Sequence, residues 1–205
     1  MTQIEFFFDF GSPTAYLAWT QLPKIAAEYG AELVYRPVLL GAIHKATNNA
    51  SPATIPAKSA WMNRDMARYA KGYGVRLSPN PYFPINTLFL MRGATGTQIQ
   101  GDELFHHYVN VVYRAMWETP KNLGDQEVLR STLREGGLAP DVIFELTQDP
   151  AVKEKLKADT EVAVARGLFG APTIFVGEEM FFGQDRLHFV REALQTQSRP
   201  KKSVL

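Results

Sequence analysis

Cysteine does not occur in this sequence of 205 residues. Its absence excludes disulfides, a thiolate nucleophile of the chain's own and the cysteine-based structural zinc sites. Any sulfur chemistry must arrive with a ligand. Long apolar runs are missing too: no stretch reaches the roughly 20 residues of a membrane span. The first residues also lack the basic and apolar regions of a secretory leader. A soluble, cytoplasmic protein with no membrane partner is therefore expected. Charge of one sign is equally scarce, since 22 Lys and Arg face 21 Asp and Glu with no run of either. No basic footprint for a phosphate backbone is visible, which argues against a nucleic-acid partner. A small molecule or a second copy of the chain is the expected partner.

The length suffices to bury a full core in one domain, or in one domain carrying a large insertion. Residues 3–8 (QIEFFF) form a short, nearly continuous apolar run, as suits a central strand buried on both faces. Ser12 as N-cap, Pro13 at the first helical position and apolar residues up to Tyr29, before Gly30, predict a helix, with a kink at Pro23. Residues 31–38 (AELVYRPV) read as a second strand, so the segment has the size and pattern of a βαβ unit with parallel strands. From Leu40 to about Asp149 only helices are predicted, over 56–73, 85–93, 102–117, 125–135 and 140–146, separated by Pro-, Gly- and Asn-rich punctuation. A long helix opens at Asp149-Pro150 and stops at Gly167. Two short strands follow, 172–176 and 179–182, turning at Gly177-Glu178, and then a last helix over 185–194. The tail from Gln197 is expected to be loose. The order βαβ, helices, αββα divides the chain into residues 1–40 with 150–205, and an inserted helical subdomain over 41–149.

Ser12-Pro13 in "FFFDFGSPTAY" carries three readings. The first is ordinary helix punctuation. A serine hydrolase is the second, but "FGSPT" lacks the second glycine of a G-x-S-x-G elbow and has no assignable His or Asp partner. In the third, the hydroxyl holds an external thiolate where the orphan N–H groups and the dipole favour an anion. Ala171-Pro172 in "GLFGAPTIFV" is either a proline opening a strand or a cis-proline turn that exposes the backbone of Ala171 to a ligand. His106 and His107 are neighbours and point apart on a helix, which argues against a paired metal site. Tyr16, Trp61, Tyr82, Phe83 and Trp117 are mostly core candidates, with a few expected to line an aromatic cleft between the two parts of the chain.

The element order and the "SPTA" and "GAPT" motifs resemble the thioredoxin superfamily, in its DsbA-like branch with a helical insertion. More closely, "FFFDFGSPTAYLA", "TNNASPATIPAK" and "GLFGAPTIFVGEEMFFGQDR", in that order and almost end to end, resemble the 2-hydroxychromene-2-carboxylate isomerases and the related kappa-class glutathione transferases.

That resemblance implies an α/β, thioredoxin-like fold with a large all-helical insertion, a homodimer, glutathione as cofactor and a small aromatic substrate. Ser12 matches the serine whose hydroxyl donates to the glutathione sulfur. Ala171, before Pro172, matches the residue whose backbone pairs with the cysteinyl unit. Gln184 and Asp185 match the pair that holds the γ-glutamyl end, with Asp185 meeting the α-ammonium and also expected to cap the last helix. Lys58 and Asn48 match insertion residues that reach the peptide. The pattern departs from the family's at two points: Gln184 stands where Ser or Asn is common, and an extra residue before Pro56 makes Asn49 an alternative to Asn48. The implied activity is isomerisation of 2-hydroxychromene-2-carboxylate in naphthalene-type catabolism. A transferase or peroxidase using the same thiolate, and a non-catalytic thioredoxin-like binding module, are the alternatives.

Overall fold

The structure, a computed structural model, describes residues 2–198; of the tail expected to be loose, 199–205 lie outside the described residues. Strand β1 (Gln3–Phe8), helix α1 (Pro13–Tyr29) and strand β2 (Glu32–Pro37) form the predicted unit. β1 and β2 are parallel, in register from Gln3 against Glu32 to Phe8 against Pro37. The other edge of β1 pairs antiparallel with β3 (Thr173–Val176), and β3 pairs antiparallel with β4 (Glu179–Phe182), giving a mixed four-stranded sheet in the order β2-β1-β3-β4. β1 is central, as its apolar run predicts. Side chains alternate across a strand, so its phenylalanines divide between two cores. Phe6 and Phe8 enter the large cluster shared with α1 and the helical insertion. Phe7 points the other way, to Val38, Ile43, Ala163, Leu168 and Phe175.

Between β2 and β3 the chain is helical: α2 (Leu40–Ala46), α3 (Pro56–Tyr73), α4 (Leu88–Gln100), α5 (Asp102–Trp117), α6 (Gln126–Glu135), α7 (Pro140–Gln148) and α8 (Pro150–Ala165). After β4 a short 3-10 turn, Gln184–Arg186, leads into α9 (Leu187–Ser198). The expected thioredoxin-like order with a helical insertion is thus present. The insertion shares its core with the sheet: Phe8 and Phe10 pack edge-on against Phe105, Tyr108 and Tyr113 at ring separations of 4.8 to 6.3 Å. Trp117 Nε1 donates to the Phe10 carbonyl at 2.9 Å. Burying a ring of this kind contributes about 1.5–3 kcal/mol, so the two parts stabilise each other.

Three expectations need correction. The helix predicted over 85–93 runs instead from Leu88 to Gln100, because Gly93 is not its end but the point where Tyr108 of α5 crosses; a Cβ there would meet the Tyr108 ring. α2 was not foreseen, since it has no side-chain cap of its own; the Leu40 N–H is taken by Asp9 Oδ2 at 2.9 Å. The last helix starts at Leu187 rather than Asp185. α1 runs unbroken from Pro13 to Tyr29 with Pro23 inside it, on its exposed face.

Candidate active site

Local sequence places Ser12. β1 ends at Phe8, the chain turns at Gly11, and Ser12 takes an extended conformation (φ −103°, ψ 109°) as N-cap of α1, with Pro13 behind it. Its hydroxyl accepts the Ala15 N–H at 3.1 Å and donates to the Ala171 carbonyl at 2.8 Å. A serine has one proton to give. The Thr14 hydroxyl, 2.9 Å away, is therefore the donor in the Ser12–Thr14 contact. Ser12 is 4 % exposed and every hydrogen-bonding direction it has is filled. The cap reading and the ligand reading thus meet at one oxygen. Ala171-Pro172 is cis, in line with the turn reading, and Ala171 presents its carbonyl to the start of α1.

Close to Ser12 lies a buried carboxyl. Asp9 is 1 % exposed; its carboxylate accepts from the Gly11 N–H at 2.8 Å and the Leu40 N–H at 2.9 Å. Burial pushes this carboxyl above the usual range, against the opposing pull of those two N–H groups, Thr87 and His44.

Ser12 and Ala171 stand on the rim of a cleft of about 300 Å³ between the strand–helix unit and the insertion. Its apolar wall includes Met62, Met66, Leu77, Phe83, Trp117 and Phe182, and its polar wall Thr14, His44, Asn49, Ser59 and Asn63. Of the five aromatics singled out in the sequence, Phe83 and Trp117 line it. Tyr16 is core, and Trp61 and Tyr82 are exposed at 54 % and 52 %. His106 packs on Trp19 and Tyr35, while the His107 Nε2 lies 2.6 Å from the Gly136 carbonyl, so the two histidines do diverge.

The remaining residues matched by resemblance fall in three places. Gln184 is buried, and its carbonyl accepts from the Tyr73 hydroxyl at 2.8 Å, which ties α3 to the turn after β4. Asp185 follows, but it caps nothing in that turn, which has no side-chain cap bond; both its oxygens lie 2.7 Å from Arg186 Nη1. Asn48 and Lys58 are exposed and do not line the cleft. Asn49 does line it. Its Nδ2 donates to the Phe169 carbonyl at 2.8 Å, holding the 49–54 loop against the segment before Ala171. Most of the cleft lining went unread in the sequence, Thr14 and His44 included. A hydroxyl two places beyond a cap was the available signal for Thr14, whereas nothing local marked His44.

The DSBA-like thioredoxin domain model matches residues 3–195. The chain is 31% identical over 193 residues to a 2-hydroxychromene-2-carboxylate isomerase of Sphingobium xenophagum, covering 93% of this chain and 97% of that one. It is 30% identical over 207 residues to glutathione S-transferase kappa 1 of Caenorhabditis elegans, covering 95% and 92%. A solved 2-hydroxychromene-2-carboxylate isomerase superposes with a TM-score of 0.84 at 28% identity, covering 96% of both chains. With the strand order, the capped α1 and the facing Ala171-Pro172 turn, these similarities show that the chain belongs to the DsbA-like thioredoxin family and, within it, to the 2-hydroxychromene-2-carboxylate isomerase family related to kappa-class glutathione transferases.

Proposed function

We propose that this protein is a glutathione-dependent isomerase that converts 2-hydroxychromene-2-carboxylate, or a close aromatic analogue, to trans-o-hydroxybenzylidenepyruvate. The observation that carries the reading is the Ser12 hydroxyl at the start of α1, facing the Ala171 carbonyl in a chain without cysteine. The residues present fit glutathione. A buried hydroxyl stands at a helix N-terminus for the sulfur, a backbone carbonyl beside it for the cysteinyl N–H, and a carboxylate, Asp185, in the turn after β4 for the ammonium. Ser12, Ala171 and Asp185 would hold glutathione, which would supply a thiolate for reversible addition to the conjugated double bond of the ring-opened keto acid, so that the bond could rotate.

The chain's own part is to hold that negative charge. Keeping a thiol mostly ionised near neutrality requires lowering its pKa by roughly two units, or about 2.7 kcal/mol. The end of α1 contributes about 0.3–1 kcal/mol, and a hydrogen bond to a charged group about 1.5–3 kcal/mol. The helix end alone does not suffice, so Ser12 must turn its proton from Ala171 to the sulfur. That turn frees the Ala171 carbonyl to accept from the ligand's backbone, an exchange of partners rather than a loss. Thr14, already donating to Ser12, keeps the serine oxygen fixed through the exchange. The methionines and aromatic rings of the cleft exclude water from the substrate's ring.

Conjugation of the thiolate to an electrophile, as in a glutathione transferase, is the second reading, and the kappa-class relative at 30% identity supports it. Following the chromene spectrophotometrically while free thiol is titrated separates the two. Turnover that requires glutathione and leaves its concentration constant supports the isomerase; consumption of one thiol per product supports the transferase.

A further inference from the structure

We infer that His44 is the proton-transfer residue of this site, opening and closing the hemiketal ring of the substrate. The inference takes its substrate class from the reading above. Among the described residues lining the cleft, His44 is the one ionisable side chain; the others are Gly, Ala, Pro, Leu, Met, Phe, Trp, Ser, Thr and Asn. It stands in the last turn of α2, half-buried, on the same cleft as Ser12, Asn49 and Phe182.

The chemistry needs such a group. A 2-hydroxychromene-2-carboxylate is a cyclic hemiketal, and its double bond becomes an acceptor for a nucleophile only after the ring opens. In that step a base takes the proton of the 2-hydroxyl and the oxygen's electron pair forms the ketone. The ring C–O bond breaks with its pair on the phenolic oxygen, which then takes up a proton. One proton leaves one oxygen and one arrives at another, so a single imidazole that accepts the first and delivers the second ends unchanged. Ser12 cannot serve, because its proton is committed to Ala171 or to the sulfur. Among the described residues, no carboxylate, lysine or tyrosine lines the cleft to replace His44.

The surroundings favour the base form at rest. Burial pulls the His44 imidazole below its ordinary value, partly offset by the negative charge of Asp9. Asp9 is the charged group acting on it from β1's end of the cleft; Lys45 beside it is exposed, and the buried face of α8, which packs on α2, carries the uncharged Leu156, Thr160 and Ala163.

Ring opening can be measured without glutathione, as magnetisation exchange between the closed chromene and its open cis keto acid in the presence of protein alone. Wild-type protein should accelerate that exchange over buffer, and His44→Gln should lower the acceleration about 100-fold, within the range general acid–base catalysis contributes. His44→Ala should be restored in part by added imidazole, and the wild-type acceleration should decline as pH falls through the imidazole's titration. Glutathione affinity and thiolate absorbance should be unchanged in both variants. Exchange in His44→Gln within twofold of wild type, or no acceleration by the wild type, overturns the assignment. Isomerisation with glutathione is assayed in parallel. If wild-type protein accelerates ring opening yet shows no glutathione-dependent product, the proposed function fails while His44 stands; if His44→Gln isomerises at the wild-type rate, His44 fails while the proposed function stands.

Discussion

The Ser12 hydroxyl donates to the Ala171 carbonyl at 2.8 Å across 159 residues of sequence. This bond joins the N-cap of α1 to the turn that opens β3, so the first and last segments of the sheet meet at the oxygen on which the proposed chemistry depends. Its geometry makes Ser12 both a structural cap and a proton donor with a choice of acceptor.

Ser12→Ala should therefore show two separable effects. Losing the cap costs about 0.5–2 kcal/mol, and a protein of this size loses roughly 2–4 °C in Tm per kcal/mol. Thiolate absorbance of bound glutathione at neutral pH should fall with it. Ser12→Asn keeps a capping group and should recover most of the stability, but not the hydroxyl proton. Heat denaturation and ultraviolet titration of both variants check this, and an unchanged thiolate titration in Ser12→Ala would remove Ser12 from the chemistry.

The Asp185–Arg186 pair gives an opposite-signed test. Both Asp185 oxygens lie 2.7 Å from Arg186 Nη1, so an incoming ammonium must share the carboxylate with a guanidinium. Asp185→Asn should raise the glutathione Kd about tenfold, the loss of one charge-assisted bond. Arg186→Gln should lower it severalfold by leaving the carboxylate uncontested. Calorimetry decides; equal affinities across all three proteins would mean that Asp185 does not hold the ligand.

How much of this was legible in the sequence follows from the distance over which each feature is determined. Ser12, Pro13 and Gly30 bound α1 through contacts within one turn, and those were read correctly. The alternation of Phe6, Phe7 and Phe8 between two cores follows from strand geometry. α2 was invisible because its first N–H is satisfied by Asp9, 31 residues earlier. Gly93 was misread as a helix end because its purpose, admitting Tyr108, belongs to another helix. Motif matching singled out Ser12 and Ala171, which do meet at the cleft. It could not settle Asn48 against Asn49, since the conformation of the loop decides which side chain turns inward.

Those two asparagines should separate stability from binding. Asn48 has φ of 52°, a left-handed conformation that an alanine adopts at a cost of about 1–2 kcal/mol. Asn48→Ala should lower the denaturation midpoint and leave glutathione affinity alone, while Asn48→Gly should be nearly neutral for both. Asn49→Ala removes the bond to the Phe169 carbonyl and should weaken glutathione binding severalfold with a stability change of about 0.5–1.5 kcal/mol. A binding defect in Asn48→Ala and none in Asn49→Ala would reverse the placement.

Asp9 sets a pH dependence whose sign can be worked out. Its folded-state pKa is raised above the ordinary 3.8, chiefly by burial, so the folded protein holds this proton at a pH where the unfolded chain has released it. The group's contribution to stability is therefore full below the unfolded value and is lost as pH rises through the folded one. Glu5 works in the other direction. Burial pushes it up, but Arg166 and Arg36, at 2.8 and 2.9 Å, hold it below its ordinary 4.5; its contribution is present above 4.5 and is lost as pH falls through the lowered value. Asp9→Asn isolates the first term. Asparagine offers one acceptor oxygen where the Gly11 and Leu40 N–H groups use two, so the variant should be less stable at every pH. The gap should nevertheless be smallest near neutrality, where the wild type must ionise a buried carboxyl, and should widen on acidification by up to about 1.4 kcal/mol per pH unit while the proton is being taken up. Urea denaturation of the two proteins at matched pH values between about 4 and 8 measures the gap directly. A constant difference across that range would show that Asp9 has no raised pKa, and a gap that narrows on acidification would reverse its sign.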